Sequence, residues 1–145
     1  MSRNYYSEIN LHLVWRTKES LPLLTATVEP LAHRYLKQRT VNTKGVFVHE
    51  IGGTETHVHL AVTIPPTLTI SAWIGELKGG ATHDVNQKIG ERQKALQWQT
   101  GYGVVSFGSG DLEWVISYIR NQRTHHQRGT VHERLERVTA VEDGA

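Results

Sequence analysis

Two short motifs in this sequence contain the residues best suited to chemistry. The first is His57-Val58-His59, which lies in a stretch where apolar residues alternate with others. If the stretch is a β-strand, alternate side chains share a face, and the two imidazoles lie about 7 Å apart along it. Two nitrogens at that spacing can converge on one metal ion, although a pair of surface histidines gives the same pattern.

The second motif is YIRNQRTHHQR, which begins at Tyr118. An apolar stripe at helical spacing predicts a helix over about residues 111–127. Tyr118 and Gln122 are four residues apart and share one side of this helix, which His125 joins. Taken alone, a tyrosine there is ordinarily half-buried packing. A helix laid over the histidine pair would instead add Gln122 as an oxygen ligand and Tyr118 as a nucleophile.

The surrounding pattern predicts the elements that must position these motifs. Strands are expected over residues 5–16, 44–50, 56–64 and 103–107, and helices over 28–39 and from Ser71 onward. Gly52-Gly53 is predicted to be a turn, and Gly79-Gly80 either interrupts the second helix or marks a close approach. The order βαββαβ predicts an α+β, ferredoxin-like or RRM-like fold, with helices on one face of an antiparallel sheet. The nucleophile helix is an addition after the last strand.

Length and composition narrow the class of protein. The chain has 145 residues, a mass of 16.4 kDa and a net charge of +2. One domain over residues 1–128 is expected, with a polar tail over 129–145. The absence of cysteine excludes disulfides, a thiol nucleophile and cysteine-bound metals. No apolar run is long enough for a membrane span and no signal peptide is evident, so a cytoplasmic location is expected.

Five segments, taken in order, resemble the single-tyrosine HUH transposases of the insertion sequence 200/605 group, which include the REP-associated tyrosine transposases. Within these segments, the pair His57 and His59 matches the family's HUH motif, and the last segment matches the family's nucleophile helix. The segments are His12 to Lys18, His57 to Leu60, Leu77 to Gly80, Trp98 to Ser106 and Tyr118 to His126. The resemblance covers about residues 5–128.

The resemblance implies a transposase that cleaves and rejoins single-stranded DNA with hairpin ends. Tyr118 would form a 5′-phosphotyrosine, and His57, His59 and Gln122 would hold Mg²⁺ or Mn²⁺. Imidazole ligands favour manganese over magnesium. The resemblance implies a homodimer, and it leaves open whether the tyrosine helix serves the histidines of its own chain or those of the partner. His125 and His126 match the pattern but are not expected to be ligands.

Basic side chains are expected to bind the DNA backbone. Residues 118–137 contain five arginines and two acids, a local charge of +3. Phosphate contacts of this kind are salt-dependent and independent of sequence. The candidates are Arg16, Lys18, Lys78, Arg120, Arg123 and Arg128, with Trp15, Trp73 and Trp98 as possible stacking platforms. Two departures from the family pattern, Glu19 and Thr56, leave the mode of DNA recognition open.

Three other functions remain open at this point. A nuclease kept by its host to act on repetitive palindromic hairpins would use the same chemistry. A non-catalytic RRM-like protein would bind single strands without a covalent adduct. A small metal-dependent hydrolase would use the histidine pair and a water molecule, and would not need Tyr118.

Overall fold

A computed structural model describes residues 5–90 and 95–138. Four strands form one antiparallel sheet in the order β2-β3-β1-β4. The strands are β1 (Ile9–Arg16), β2 (Phe47–Gly53), β3 (His57–Ile64) and β4 (Gly103–Phe107). The α-helices are α1 (Val28–Val41), α2 (Ile70–Ile89), α3 (Leu112–Arg120), α4 (Gln122–Arg128) and α5 (Glu133–Glu136). The βαββαβ order and the fold class predicted from the sequence are confirmed.

One face of the sheet packs against α1 and α2 and forms the main core. Alternation along β1 and β3 places every second residue on this face. Leu13 and Leu60 come from the sheet, and Leu36 and Ile74 come from the helices; all four are fully buried. This core anchors β1 and β3, and therefore fixes the position of the opposite face of the same two strands.

The opposite face is partly covered by α3, which lies over β2 and β3. Val115 and Ile119 of α3 pack on Ala61 of β3. The helix approaches closely at Gly52, where an added Cβ would lie 2.5 Å from the carbonyl oxygen of Ile119. Glycine at this position lets α3 lie on the strand backbone and brings the helix towards His57 and His59.

Several element boundaries differ from those expected. Gly52-Gly53 ends β2 and is not a turn, because the link to β3 is residues 54–56. Strand β1 begins at Ile9, and α2 runs through Gly79-Gly80 without a break. The close approach is real at Gly80, where a Cβ would meet the guanidinium group of Arg39. Residues 91–94, and residues 139–145 of the predicted tail, lie outside the described residues.

The predicted nucleophile helix is two helices. It breaks at Asn121, whose φ of −105° and ψ of 28° are not helical. Tyr118 therefore belongs to α3 and Gln122 to α4. None of the helices in the described part of the chain has the length and apolar character of a bilayer-spanning segment.

Candidate metal centre and nucleophile

His57 and His59 lie on the sheet face opposite the main core, as the alternation predicts. Both are buried, and their ring centroids are 5.0 Å apart. The hydroxyls of Thr54 and Thr56 each lie 3.0 Å from His57 Nδ1, so that Nε2 points into the cluster. Burial lowers the pKa of His59 to about 4. A neutral imidazole is the form that binds a metal ion.

His12 of β1 is a member of this face that the sequence patterns did not single out. Its Nε2 lies 2.8 Å from Nδ1 of His59, and both side chains are fully buried. Burial, followed by the neighbouring His59, lowers the pKa of His12 to about 3. The alternation of β1 could have indicated His12 from the sequence, because His12 falls on the face opposite Leu11 and Leu13.

Gln122 reaches the histidines from α4, as predicted. Its Oε1 lies 3.4 Å from His57 Nε2, and its Nε2 donates to the backbone oxygen of Tyr118 at 3.3 Å. The amide is buried, so its oxygen is held facing the imidazoles. The structure thus brings together His57, His59 and Gln122, the three residues that the resemblance implies for a metal ion.

Two further side chains lie in this cluster: His126, which was not expected to be a ligand, and Glu136, which no motif singled out. His126 Nε2 lies 3.1 Å from His57 Nε2. Glu136 Oε1 lies 3.2 Å from Nε2 of both His57 and His59. Burial alone would raise the pKa of Glu136, but the imidazoles of His57 and His59 hold it well below its ordinary value. His126 lies four residues after Gln122 and therefore shares its side of a helix, a spacing that could have indicated it. No local pattern in the sequence indicates Glu136.

The donor atoms of these side chains fit a divalent cation. One ligand atom from each of His57, His59, His126 and Glu136 can be chosen so that all lie within 4.8 Å of one another. Although His59 Nε2 and Glu136 Oε1 are buried and only 3.2 Å apart, neither makes a hydrogen bond within the described residues. Buried polar atoms are normally satisfied, and a cation between them would satisfy both. Imidazole nitrogens and carboxylate or amide oxygens are ligands that divalent metal ions use in proteins.

Tyr118 lies beside this cluster in the same chain. Its hydroxyl donates to Oε2 of Glu136 and accepts from the backbone N–H of His132 at 2.8 Å. The side chain is only 3% exposed. Burial and the Glu136 carboxylate raise the pKa of Tyr118 to about 12. The phenol is therefore protonated at neutral pH, and its oxygen is covered by the contacts with Glu136 and His132.

The ring of Tyr118 is also stacked on both sides. Trp114 is nearly parallel to it at 5.5 Å, and His125 stacks at 4.7 Å. Trp114 is 50% exposed. By contrast, the suggested platforms Trp15 and Trp73 are buried core residues.

The predicted DNA-binding side chains have very different surroundings. Lys78 Nζ donates to the backbone oxygens of Gln99 and Gly101, both at 2.9 Å, which ties α2 to the segment before β4. Arg16 points towards the backbone oxygen of Glu136 at 3.5 Å, and Lys18 is exposed.

The three predicted DNA-binding arginines on α3 and α4 also differ in whether they already have an acidic partner. Arg120 pairs with Glu50 at 2.7 Å, and Arg123 pairs with Glu29 at 2.9 Å. Arg128 is exposed and, among the described residues, has no ion pair. Only part of the predicted basic surface is therefore available without breaking an existing contact.

A four-stranded antiparallel sheet with a histidine cluster facing a tyrosine helix is the arrangement that the sequence resemblance to transposases predicted. The family model Transposase IS200 like matches residues 5–122. The chain therefore belongs to the IS200-like transposase family, as the sequence motifs indicated.

Two solved structures have the same fold. A candidate transposase from Deinococcus radiodurans R1 superposes with a TM-score of 0.65 at 21% identity, over 84% of this chain and 96% of that one. A REP-associated tyrosine transposase bound to a REP hairpin superposes with a TM-score of 0.61 at 16% identity, over 90% of this chain and 75% of that one. No curated protein matches the chain significantly.

Proposed function

We propose that this transposase cuts and rejoins single-stranded DNA through a covalent bond to Tyr118. The observation that carries the proposal is the position of the Glu136 carboxylate. One oxygen of this group lies 3.2 Å from Nε2 of both His57 and His59, and the other accepts from the Tyr118 hydroxyl. A phosphate in the same place would face both the metal ligands and the nucleophile.

The chemistry follows from this arrangement. Tyr118 Oη attacks the scissile phosphorus, the bond from phosphorus to the 3′ oxygen breaks, and a 5′-phosphotyrosine forms. The phenol loses a proton and the departing 3′ oxygen gains one. A 3′-hydroxyl then attacks the same phosphorus and releases Tyr118. Each step replaces one phosphoester bond with another, so no ATP is required.

His57, His59 and Gln122 would hold the divalent ion, Mn²⁺ or Mg²⁺, with His126 as a further candidate, while the phosphate takes the place of the Glu136 carboxylate. When bound, the ion would polarise the phosphate oxygens and offset their charge. The stacked rings of Trp114 and His125 limit the directions in which the Tyr118 ring can lie. Positioning of this kind supplies much of the rate of phosphoryl transfer.

A covalent-adduct assay tests the proposal. The protein is incubated with labelled single-stranded DNA hairpins with single-stranded flanks and Mn²⁺, and then separated on a denaturing gel. We expect label to travel with the protein, and to be lost with EDTA and in Tyr118→Phe but not in the control Tyr35→Phe. Cleaved DNA without an adduct, persisting in Tyr118→Phe, would support a water-using hydrolase. Binding without either product would support a non-catalytic binder.

Hairpin recognition is proposed because the REP-associated neighbour was solved with a REP hairpin. A mobile element and a host-retained nuclease share this chemistry, and only the hairpin and its genomic position separate them. Hairpins taken from the DNA that flanks the gene are therefore the first substrates to compare with scrambled hairpins. Preference for the flanking hairpin in the adduct assay would support recognition.

The assembly is a separate part of the proposal. The resemblance implies a homodimer and leaves open whether Tyr118 acts in cis or in trans; here the ring of Tyr118 lies 6.1 Å from that of His59 within one chain. We therefore propose action in cis. Mixing Tyr118→Phe with His57→Ala gives a decisive result, because restored adduct formation requires the tyrosine of one chain to serve the histidines of another.

A further inference from the structure

A buried pair of histidines connects the candidate metal centre to β1. His12 and His59 lie on neighbouring strands, with 2.8 Å between His12 Nε2 and His59 Nδ1. Both side chains are fully buried, so water does not compete for these atoms. At this distance one nitrogen must donate and the other must accept. The pair therefore has two possible arrangements of its protons when both rings are neutral.

The two arrangements have opposite consequences for a metal ion. If His59 carries its proton on Nδ1 and donates to His12, its Nε2 is bare and can bind a cation. If His12 donates instead, the remaining proton of His59 sits on Nε2 and blocks that site. The contact made by one ring nitrogen thus decides what the other can do.

The position of His59 in the cluster selects the first arrangement once a cation is bound. His59 Nε2 faces the other donor atoms and lies 3.2 Å from Glu136 Oε1. A cation at Nε2 leaves Nδ1 as the nitrogen of a neutral His59 that carries the proton, and His12 Nε2 lies within reach to accept it. His12 then carries its own proton on Nδ1, which makes no hydrogen bond within the described residues.

We propose that His12 is a positioning residue that accepts the Nδ1 proton of His59 and so keeps His59 Nε2 bare for a divalent cation. The proposal rests on the metal site of the proposed function. It assigns no contact between His12 and the metal or the DNA. Its role is to fix the tautomer and the ring orientation of a ligand.

The tautomer is measured first on the full-length protein with bound Zn²⁺, a diamagnetic divalent cation. Ring ¹⁵N chemical shifts distinguish a protonated nitrogen from a bare one for each histidine. We expect His59 of the wild-type protein to carry its proton on Nδ1 and His12 to have a bare Nε2. A wild-type His12 that carries its proton on Nε2 would overturn the proposal, whether or not any variant folds.

The second measurement is Mn²⁺ affinity by electron paramagnetic resonance. Loss of a residue that orients a metal ligand typically costs about 10- to 100-fold in affinity, and we expect this for His12→Phe. His12→Gln restores an acceptor oxygen and should recover most of the affinity. His49→Phe is the matched control, because His49 contacts Thr63 on the same sheet, at 2.6 Å, away from the cluster.

The outcomes separate this proposal from the proposed function. Wild-type protein that binds neither Mn²⁺ nor Zn²⁺ would remove the metal site, and the role of His12 with it. Normal Mn²⁺ binding in a folded His12→Phe would overturn the role of His12 and leave the metal site standing. Equal losses in His12→Gln and His12→Phe would show that ring packing, and not the acceptor, matters.

Discussion

The two faces of β3 are equally buried but chemically opposite. Val58, Leu60 and Val62 meet the helices α1 and α2, whereas His57 and His59 meet α4 and the segment around Glu136. Apolar side chains gain from burial against any well-packed neighbour. Buried imidazoles need specific polar partners, and here those partners come from distant parts of the chain. One face of the strand therefore stabilises the fold, and the other holds the polar cluster on which the proposed chemistry depends.

The difference between the two faces of β3 is tested most sharply by removing a histidine from the face that holds His57 and His59. We expect His57→Ala to lower Mn²⁺ affinity by more than about 100-fold, because a direct ligand should cost at least as much as an outer partner. Titration followed by electron paramagnetic resonance measures the affinity. His49→Ala on the same sheet serves as the control. Unchanged affinity in folded His57→Ala would remove the histidine from the site.

Leu60→Ala tests the packing face one residue away from His59. Truncating a fully buried leucine typically costs about 2–5 kcal/mol of unfolding free energy, measured here by urea denaturation. Mn²⁺ affinity of the molecules that remain folded should be almost unchanged. A large loss of metal affinity with normal stability would mean that the two faces are not separable.

Gly103→Ala tests whether the α5 segment covers the nucleophile. An added Cβ would overlap the carbonyl oxygen of Arg137, next to Glu136. Overpacking typically costs about 1–3 kcal/mol, so we expect the uncovered state to become roughly 5- to 150-fold more populated. The rate of adduct formation should rise accordingly. Gly108→Ala is the control, since its Cβ meets nothing within 4 Å, and an unchanged rate in Gly103→Ala would contradict the covering role.

Trp114→Ala tests the exposed aromatic surface beside Tyr118. Base stacking on an aromatic side chain is worth about 1–3 kcal/mol, and a loss of this size is expected in single-strand binding. Fluorescence anisotropy with a labelled oligonucleotide measures it. Trp114→Phe should retain most of the binding, and equal affinity in all three proteins would show that no base stacks there.

The smallest expected effect is on the salt dependence of DNA binding. It distinguishes Arg123, which is paired, from Arg128, which has no ion pair among the described residues. Arg128→Gln should reduce the slope of log affinity against log salt by about 0.7, the value for one phosphate contact on a single strand. Arg123→Gln should change it less, because Arg123 already pairs with Glu29 and Glu55. The same binding assay at several salt concentrations measures both. A larger change in Arg123→Gln would mean that DNA displaces these acids.

The secondary structure followed largely from local patterns. The alternation around His57 and His59 predicted their strand and the face they occupy, and the spacing of Tyr118 and Gln122 brought both to the cluster. The break at Asn121 was not predicted, since the residues around it are all compatible with a helix. The expectation that His126 lies outside the ligand set followed a resemblance, whereas the structure places its ring against His57.

The sequence by itself determined the strands, the main helices, the family and the two motifs that contain His57, His59 and Tyr118. These features depend on periodicity and on short motifs. Only the tertiary structure placed His12 against His59, and Glu136 between the histidines and Tyr118. These contacts connect residues 47 and 77 positions apart for His12–His59 and His59–Glu136. Burial of a polar group demands a partner but does not specify where along the chain that partner lies.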